Sequence, residues 1–252
     1  MPYAEFLAEV GGDVLVAGPP MRTTLGADHP RFIDLEFAKR FSDVAHAVAD
    51  AVLRRGVKLA LHTEAHSSLC TRRDVNLLMA LTDPQYVHLC PDTAHITLMG
   101  GDPVEVVAPR SERVAIAHWK DASGPMPAGI PIDDSIHESN REYMVTLGTG
   151  AVDWNAWSSL YDSTPGADVR LLELDAVPEP IDEMKKALAF FRSENDIAES
   201  PPTGGAAGSA AVAPPTAGTP TVRCRPKGGS RSSELDDVAA AALLARSAYR
   251  HG

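Results

Sequence analysis

The strongest constraint on this chain is an alternation of short apolar runs with segments of helical period or helix length. Val14 to Gly18 (VLVAG) ends at Gly18-Pro19-Pro20 and reads as a buried strand followed by a loop. From about Asp34 to Arg55, Phe37, Phe41, Val44, Val48 and Val52 recur at steps of three and four. That spacing predicts a helix with one apolar face, and Gly56 stands where a helix stop belongs. Val57 to Leu61, with His62, is the second expected strand. Asp74 to Leu81 follows as a helix on the spacing of Val75, Leu78 and Met79, and Asp83-Pro84 breaks it before a third strand, Tyr86 to Cys90. Val114 to His118 and Val169 to Leu174 complete the set. The last strand leads into a helix with Ile181, Met184, Leu188 and Phe191 on one face. Strands and helices in this order predict an α/β protein with a parallel sheet, either doubly wound or rolled into a barrel.

Polar residues at the strand ends choose between the two. His62-Thr63-Glu64, Asp92-Thr93-Ala94-His95 and His118-Trp119-Lys120-Asp121 each close a strand, and Glu173 and Asp175 close a fourth. In a barrel all those ends converge on one mouth. A doubly wound sheet would concentrate its chemistry at one switch point, usually beside a Gly-rich phosphate loop. The chain has no G-x-G-x-x-G or Walker-type sequence. The expected fold is therefore a (β/α)8 TIM barrel. Imidazoles and carboxylates together suit a divalent ion of intermediate hardness, with Mn, Co, Mg and Zn all compatible. A single His or Asp at a strand end is most often an ordinary rim residue. Four ends at once are harder to explain that way.

The segments ALHTEAHSS, LTDPQYVHLCPDTAH, GGDPVEVV and AHWKD, followed by LGTGAVDWNAW and LLELDAVPEP, resemble in order and spacing the xylose isomerase-like barrel superfamily. The likeness is to its inosose dehydratase and sugar phosphate isomerase/epimerase members, and it covers most of residues 1 to 193. It implies one metal ion held by side chains from four successive strands. Asp92 of DTAH, His118 of HWKD and Glu173 of LLELD match three of the ligand positions. At the fourth, where many relatives carry Glu, this chain has His62, with Glu64 two residues on. Residues two apart on a strand share a face, so both can point into the mouth. His62 is expected as the ligand and Glu64 as a neighbouring acid/base, with the reverse assignment left open. His95 and Lys120 resemble substrate-contacting positions. His66, His137, Glu138 and Arg141 are expected to be solvated loop residues, and Trp119, Trp154 and Trp157 to pack in the barrel wall.

The function that the resemblance implies is a metal-dependent isomerase, epimerase or dehydratase acting on a sugar, polyol or inositol-derived ketone. Its catalytic proton transfer, through a metal-stabilised enediolate, falls to Glu64 or Glu173. Alternatives are a catalytically silent barrel fragment and an endonuclease-like hydrolase on the same fold. The hydrolase needs a basic groove, and a formal charge of -11 with a pI near 5.2 disfavours nucleic-acid and anionic-membrane partners. Homo-oligomer formation is compatible with the sequence. No run approaches the roughly 18 apolar residues of a membrane span. Cys70, Cys90 and Cys224 lack C-x-x-C spacing, so free thiols and a cytoplasmic location are expected.

Two expectations concern the ends of the chain. Only about five C-terminal β/α units are recognisable, and VLVAG resembles the family's fourth strand, so residues 1 to 193 are expected to form an incomplete barrel. Residues 194 to 252 are expected to be a low-complexity linker with a short C-terminal helix. The linker expectation rests on the Pro, Gly, Ala, Ser and Thr content of residues 199 to 220, and the helix on Ser233, Leu235, Val238, Ala242 and Leu243.

Overall fold

The computed structural model describes residues 2–22, 31–127, 130, 132–133, 135–175 and 179–194. The expected linker and C-terminal helix beyond Glu194 lie outside the described residues. The chain opens with a helix, α1 (Pro2–Glu9), which the apolar spacing had not marked, and passes into β1 (Val14–Ala17). Helix α2 (Leu35–Leu53) starts where Asp34 accepts a hydrogen bond from the Phe37 amide at 2.7 Å. It gives way to Gly56, whose φ of 76° is one that glycine adopts without steric cost. Then follow β2 (Lys58–His62), α3 (Arg72–Leu81) with a reciprocal Thr71–Asp74 capping box, and β3 (Val87–Cys90).

The long segment between the third and fourth expected strands is helical in three pieces: α4 (Thr93–Leu98), α5 (Pro103–Val107) and a 3-10 turn over Ala108–Arg113. Asp92 and Asp102 cap the first two of these. The fourth strand, β4 (Ala117–Trp119), begins later than its apolar run. Just before that run Arg113 is buried, with its guanidinium on the carbonyl oxygens of Met79, Thr82 and Val87, which ties this turn to α3 and β3. A two-residue strand β5 (Asp121–Ala122), helix α6 (Ile136–Arg141), β6 (Met144–Val145) and α7 (Trp154–Tyr161) follow, then β7 (Arg170–Leu172) and α8 (Pro180–Glu194).

β1, β2 and β3 pair in parallel, in the register Ala17–Leu61 and His62–Cys90, and β4 pairs in parallel with β7. Among the described residues two isolated parallel bridges, Leu89–Val114 and Asp92–His118, join the two groups, giving the order β1-β2-β3-β4-β7. All five run the same way, so their C-terminal ends gather on one side, as a barrel wall requires. β5 and β6 form a separate antiparallel pair over that side. β2 and β3 are buried almost throughout, including Leu59, Leu61, Val87 and Leu89. β1 is half-buried, and around β7 Val169 and Leu171 are exposed. The three tryptophans pack as expected: Trp119 stacks on Trp154 with ring centroids 5.4 Å apart and meets Trp157, Tyr161 and Phe191 edge-on. No helix among the described residues is long and apolar enough to cross a membrane.

Candidate functional site

Asp92 is the pivot of the strand-end cluster. It follows β3 and is fully buried. Its Oδ1 accepts the His95 amide at 3.0 Å, capping α4, and this leaves Oδ2 to face the neighbouring strand ends. Thr63 fixes the backbone there, since its hydroxyl accepts the Asp92 amide at 2.8 Å. Around Asp92 Oδ2 stand His62 Nε2 at 3.4 Å, Lys120 Nζ at 3.4 Å, His118 Nδ1 at 3.7 Å and His95 Nε2 at 4.0 Å. His62 and His118 approach with ring centroids 4.7 Å apart.

One donor atom from each of His62, Asp92 and His118 lies within 4.8 Å of the other two. Glu173, after β7, adds Oε2 at 2.5 Å from His118 Nδ1, a contact that lacks hydrogen-bond alignment. His62 Nδ1 is buried with no hydrogen-bond partner. Imidazole and carboxylate donor atoms gathered this closely, with His118 Nδ1 and Glu173 Oε2 buried and unpaired, are a pattern that a divalent cation resolves, and the mixture fits such an ion. Glu64 stays outside this triad, its Oε2 3.7 Å from His62 Nδ1 and its Oε1 3.8 Å from His137 Nδ1.

The sequence model described as Xylose isomerase-like TIM barrel matches residues 2–194. The chain belongs to this family. The inosose dehydratase of Bacillus licheniformis is 30% identical over 126 residues, which make up 48% of this chain and 42% of the relative. That of Geobacillus kaustophilus is 33% identical over 115 residues, 46% of this chain and 36% of the relative. The chain therefore spans less than half the length of these curated relatives. Among solved structures, the IOLI protein with a binding zinc atom superposes with a TM-score of 0.59 at 22% identity, over 77% of this chain and 66% of that one. The 3-keto-D-glucoside 4-epimerase YcjR from E. coli gives 0.56 at 18%, over 75% and 67%. At those identities the likeness shows the fold.

The electrostatics of this xylose isomerase-like site follow from burial against charge pairing. Burial would raise the Asp92 carboxyl, yet Lys120, His95, His118 and His62 together hold its pKa well below the ordinary range. Burial disfavours a charged His118, but contacts with Asp92, Cys90 and Glu173 outweigh it and push its pKa up to about 12. His95 goes the other way. Burial lowers it to about 4, and its Nδ1 accepts the Ala65 amide at 3.2 Å. Glu64 and Glu173 both come down to about 2 against burial, through His62 and His118 respectively. Lys120 is raised despite burial because Asp92, Glu173 and Asp175 surround it.

His62, Glu64, Asp92, His95, His118, Lys120, Glu173 and Asp175 lie in this cluster or beside it, whereas Asp121 turns away to the Gly148, Gly150 and Trp154 donors. Lys120 does not pair with its neighbour Asp121; its partners are Asp92 at 3.4 Å, Glu173 at 3.3 Å and Asp175 at 3.3 Å. Two of the loop residues expected in solvent are elsewhere: His66 is buried, and His137 reaches Glu64. Glu138 is exposed as expected. Asn140, buried on α6, was not marked at all, and a lone Asn in a polar loop carries no spacing signal that could mark it.

Proposed function

We propose that this chain is a metal-dependent isomerase, epimerase or dehydratase acting on a sugar, polyol or inositol-derived ketone. The observation that carries the reading is the convergence of His62, Asp92 and His118 donor atoms within 4.8 Å at the ends of neighbouring barrel strands. His62, Asp92, His118 and Glu173 would hold one divalent ion. Mn, Co, Mg and Zn fit the donor types, and the zinc atom named with the IOLI structure supports the class of ion. When bound, such an ion supplies Lewis acidity that stabilises the enediolate oxygen developing as a proton leaves the carbon beside a ketone.

The chain's own residues do the rest. Glu64 is ionised across neutral pH and sits beside the triad rather than in it, so it is free to take the proton. Glu173 shares that role from the other side of the cluster, 2.5 Å from His118. Lys120 and His95 line the same space and orient the carbonyl and hydroxyl oxygens. Return of the proton on the opposite face gives epimerisation, and on the adjacent carbon isomerisation. Departure of a β-hydroxyl gives dehydration. The inosose dehydratases among the relatives favour the last of these and a cyclic polyol ketone as substrate.

Metal analysis together with solvent exchange of the α-proton of an inosose in deuterated water tests the reading. The expected result is one divalent ion per chain and measurable exchange. Asp92→Ala and His118→Ala each lose most of the metal affinity, because an incomplete shell binds poorly. Glu64→Gln retains the ion and loses exchange; if it instead loses the ion, Glu64 and His62 trade roles. Unchanged stoichiometry and affinity in both the Asp92 and His118 variants overturns the proposal.

A further inference from the structure

Beyond the metal cluster, across Glu64, stands a second polar group that the proposed chemistry does not use. Asn140 is only 2% exposed, yet neither its amide nitrogen nor its carbonyl oxygen has a hydrogen-bond partner. It lies beside the His66 ring without completing a hydrogen bond to it. His66 is itself held in a left-handed backbone conformation, with φ 62°, an uncommon geometry for a non-glycine residue. One turn earlier on α6, on the same helical face, His137 reaches Glu64 at 3.8 Å. The His66 amide faces the Met99 sulfur at 3.4 Å, and its ring faces the Met126 sulfur at 3.5 Å.

An amide buried with both ends unpaired costs stability unless something supplies its partners. We infer that Asn140, with His66 beside it, is a specificity-determining residue that binds a neutral hydroxyl group of the substrate distal to the ketone. The carboxamide presents a donor and an acceptor side by side, which matches the hydroxyls of a polyol ring. The substrate class at this wall is therefore a polyol ketone. The inference rests on the proposed ketone chemistry and deepens it.

The test uses the zinc-loaded full chain with two probes, an inosose and a deoxyinosose lacking one ring hydroxyl, in the α-proton exchange assay. Asn140→Leu is expected to raise KM for the inosose about tenfold, the size of one lost hydrogen bond, with kcat little changed. Zinc affinity stays at the parent value. In that variant the two probes become equivalent for the deoxy analogue that removes the recognised hydroxyl. The thermal midpoint is expected to rise, since an unpaired polar group is replaced by an apolar one of similar size. A merely structural Asn would lower it. Asn140→Asp serves as a second variant of conserved shape, expected to weaken binding with zinc affinity unchanged. Unaltered KM in both variants, or a penalty equal for every probe, overturns the inference while leaving the metal chemistry standing. Absence of exchange with any inosose in the parent chain overturns the substrate reading on which it rests.

Discussion

Arg113 shows how a single side chain ties separate segments together. Its guanidinium donates to Met79, Thr82 and Val87 carbonyls and to the Thr82 hydroxyl, all buried. Arg113→Ala leaves those acceptors without partners and is expected to cost on the order of 3 kcal/mol or more, measured by chemical denaturation. Arg113→Lys restores little, because an ammonium lacks the planar fork that reaches several carbonyls at once. The thiols give a second prediction at this scale. Burial raises the pKa of Cys70 well above the ordinary thiol value and that of Cys90 in the same direction, so little thiolate exists near neutral pH. Both should resist alkylation at pH 8 in the native chain and react fully in denaturant, as read by peptide mass mapping. Rapid native labelling of Cys70 would contradict its burial. The candidate donors His62, Asp92, His118 and Glu173 were legible in the sequence because a strand's end has a fixed place in a barrel. Arg113 and Asn140 were not, because what each does depends on contacts from distant parts of the chain, as with the 34 positions between Arg113 and Met79.

Among the elements, the loop between β6 and α7 depends on one carboxylate. Asp121 is 1% exposed and accepts from the amides of Gly148 at 2.9 Å and Gly150 at 3.0 Å, and from the Trp154 indole at 3.0 Å. Gly150 is required for that approach: a Cβ there would overlap Asp121 and the Ala122 carbonyl. Asp121→Ala should destabilise the chain by about 2 kcal/mol, since the buried Trp154 indole loses its acceptor together with two loop amides. Gly150→Ala should destabilise it too, by forcing the loop away. Full stability of both variants would show that the loop is held by other contacts. The α2 and α3 helices and the strands around them were readable from apolar spacing, although α2 buries Ala38, Ser42, Ala45, Ala49 and Val52 and leaves the expected Phe37, Phe41, Val44 and Val48 half-buried beside them. The short α4, α5, α6 and α7 were not. They are one or two turns long, too short for periodicity to register, and are fixed mainly by capping side chains such as Asp92, Asp102 and Asp153.

Among the described residues, part of the exposed apolar surface lies at the two flanks of the sheet, with the rest at the ends of α2 and the start of α8. The middle strands β2 and β3 are buried, whereas Phe6 and Val10 near β1 and Val169 and Leu171 at β7 are exposed. Among the described residues β1 and β7 each pair on one side only. Unpaired edges of this kind template further pairing, so we expect the chain to self-associate in a concentration-dependent way, as measured by light scattering. Leu171→Lys, which adds charge to one edge, should shift the mass toward the monomer. A strictly monomeric parent chain at high concentration would rule this out. The composition of residues 199 to 220 leads to a separate expectation, that a chain shortened to end near Ser193 keeps its thermal midpoint and metal affinity. A large loss would show that the removed segment packs on the barrel.

The narrow join between the two groups of strands has a mechanical consequence. Among the described residues two isolated bridges pair the strands along this line, with the Ala115 amide on the Leu89 carbonyl at 3.0 Å and the His118 amide on the Pro91 carbonyl at 2.9 Å, and the Thr93 hydroxyl bonds both the carbonyl and the amide of Lys120 across it. The four candidate donors divide evenly over this seam, with His62 and Asp92 on one bank and His118 and Glu173 on the other. An ion held by all four, as proposed, would act as a clasp, joining the two banks with its own binding energy. Occupancy and rigidity are then one quantity seen from two sides. Zinc should raise the melting temperature in proportion to the logarithm of its free concentration and slow deuterium uptake at the Ala115 and His118 amides before any other strand responds.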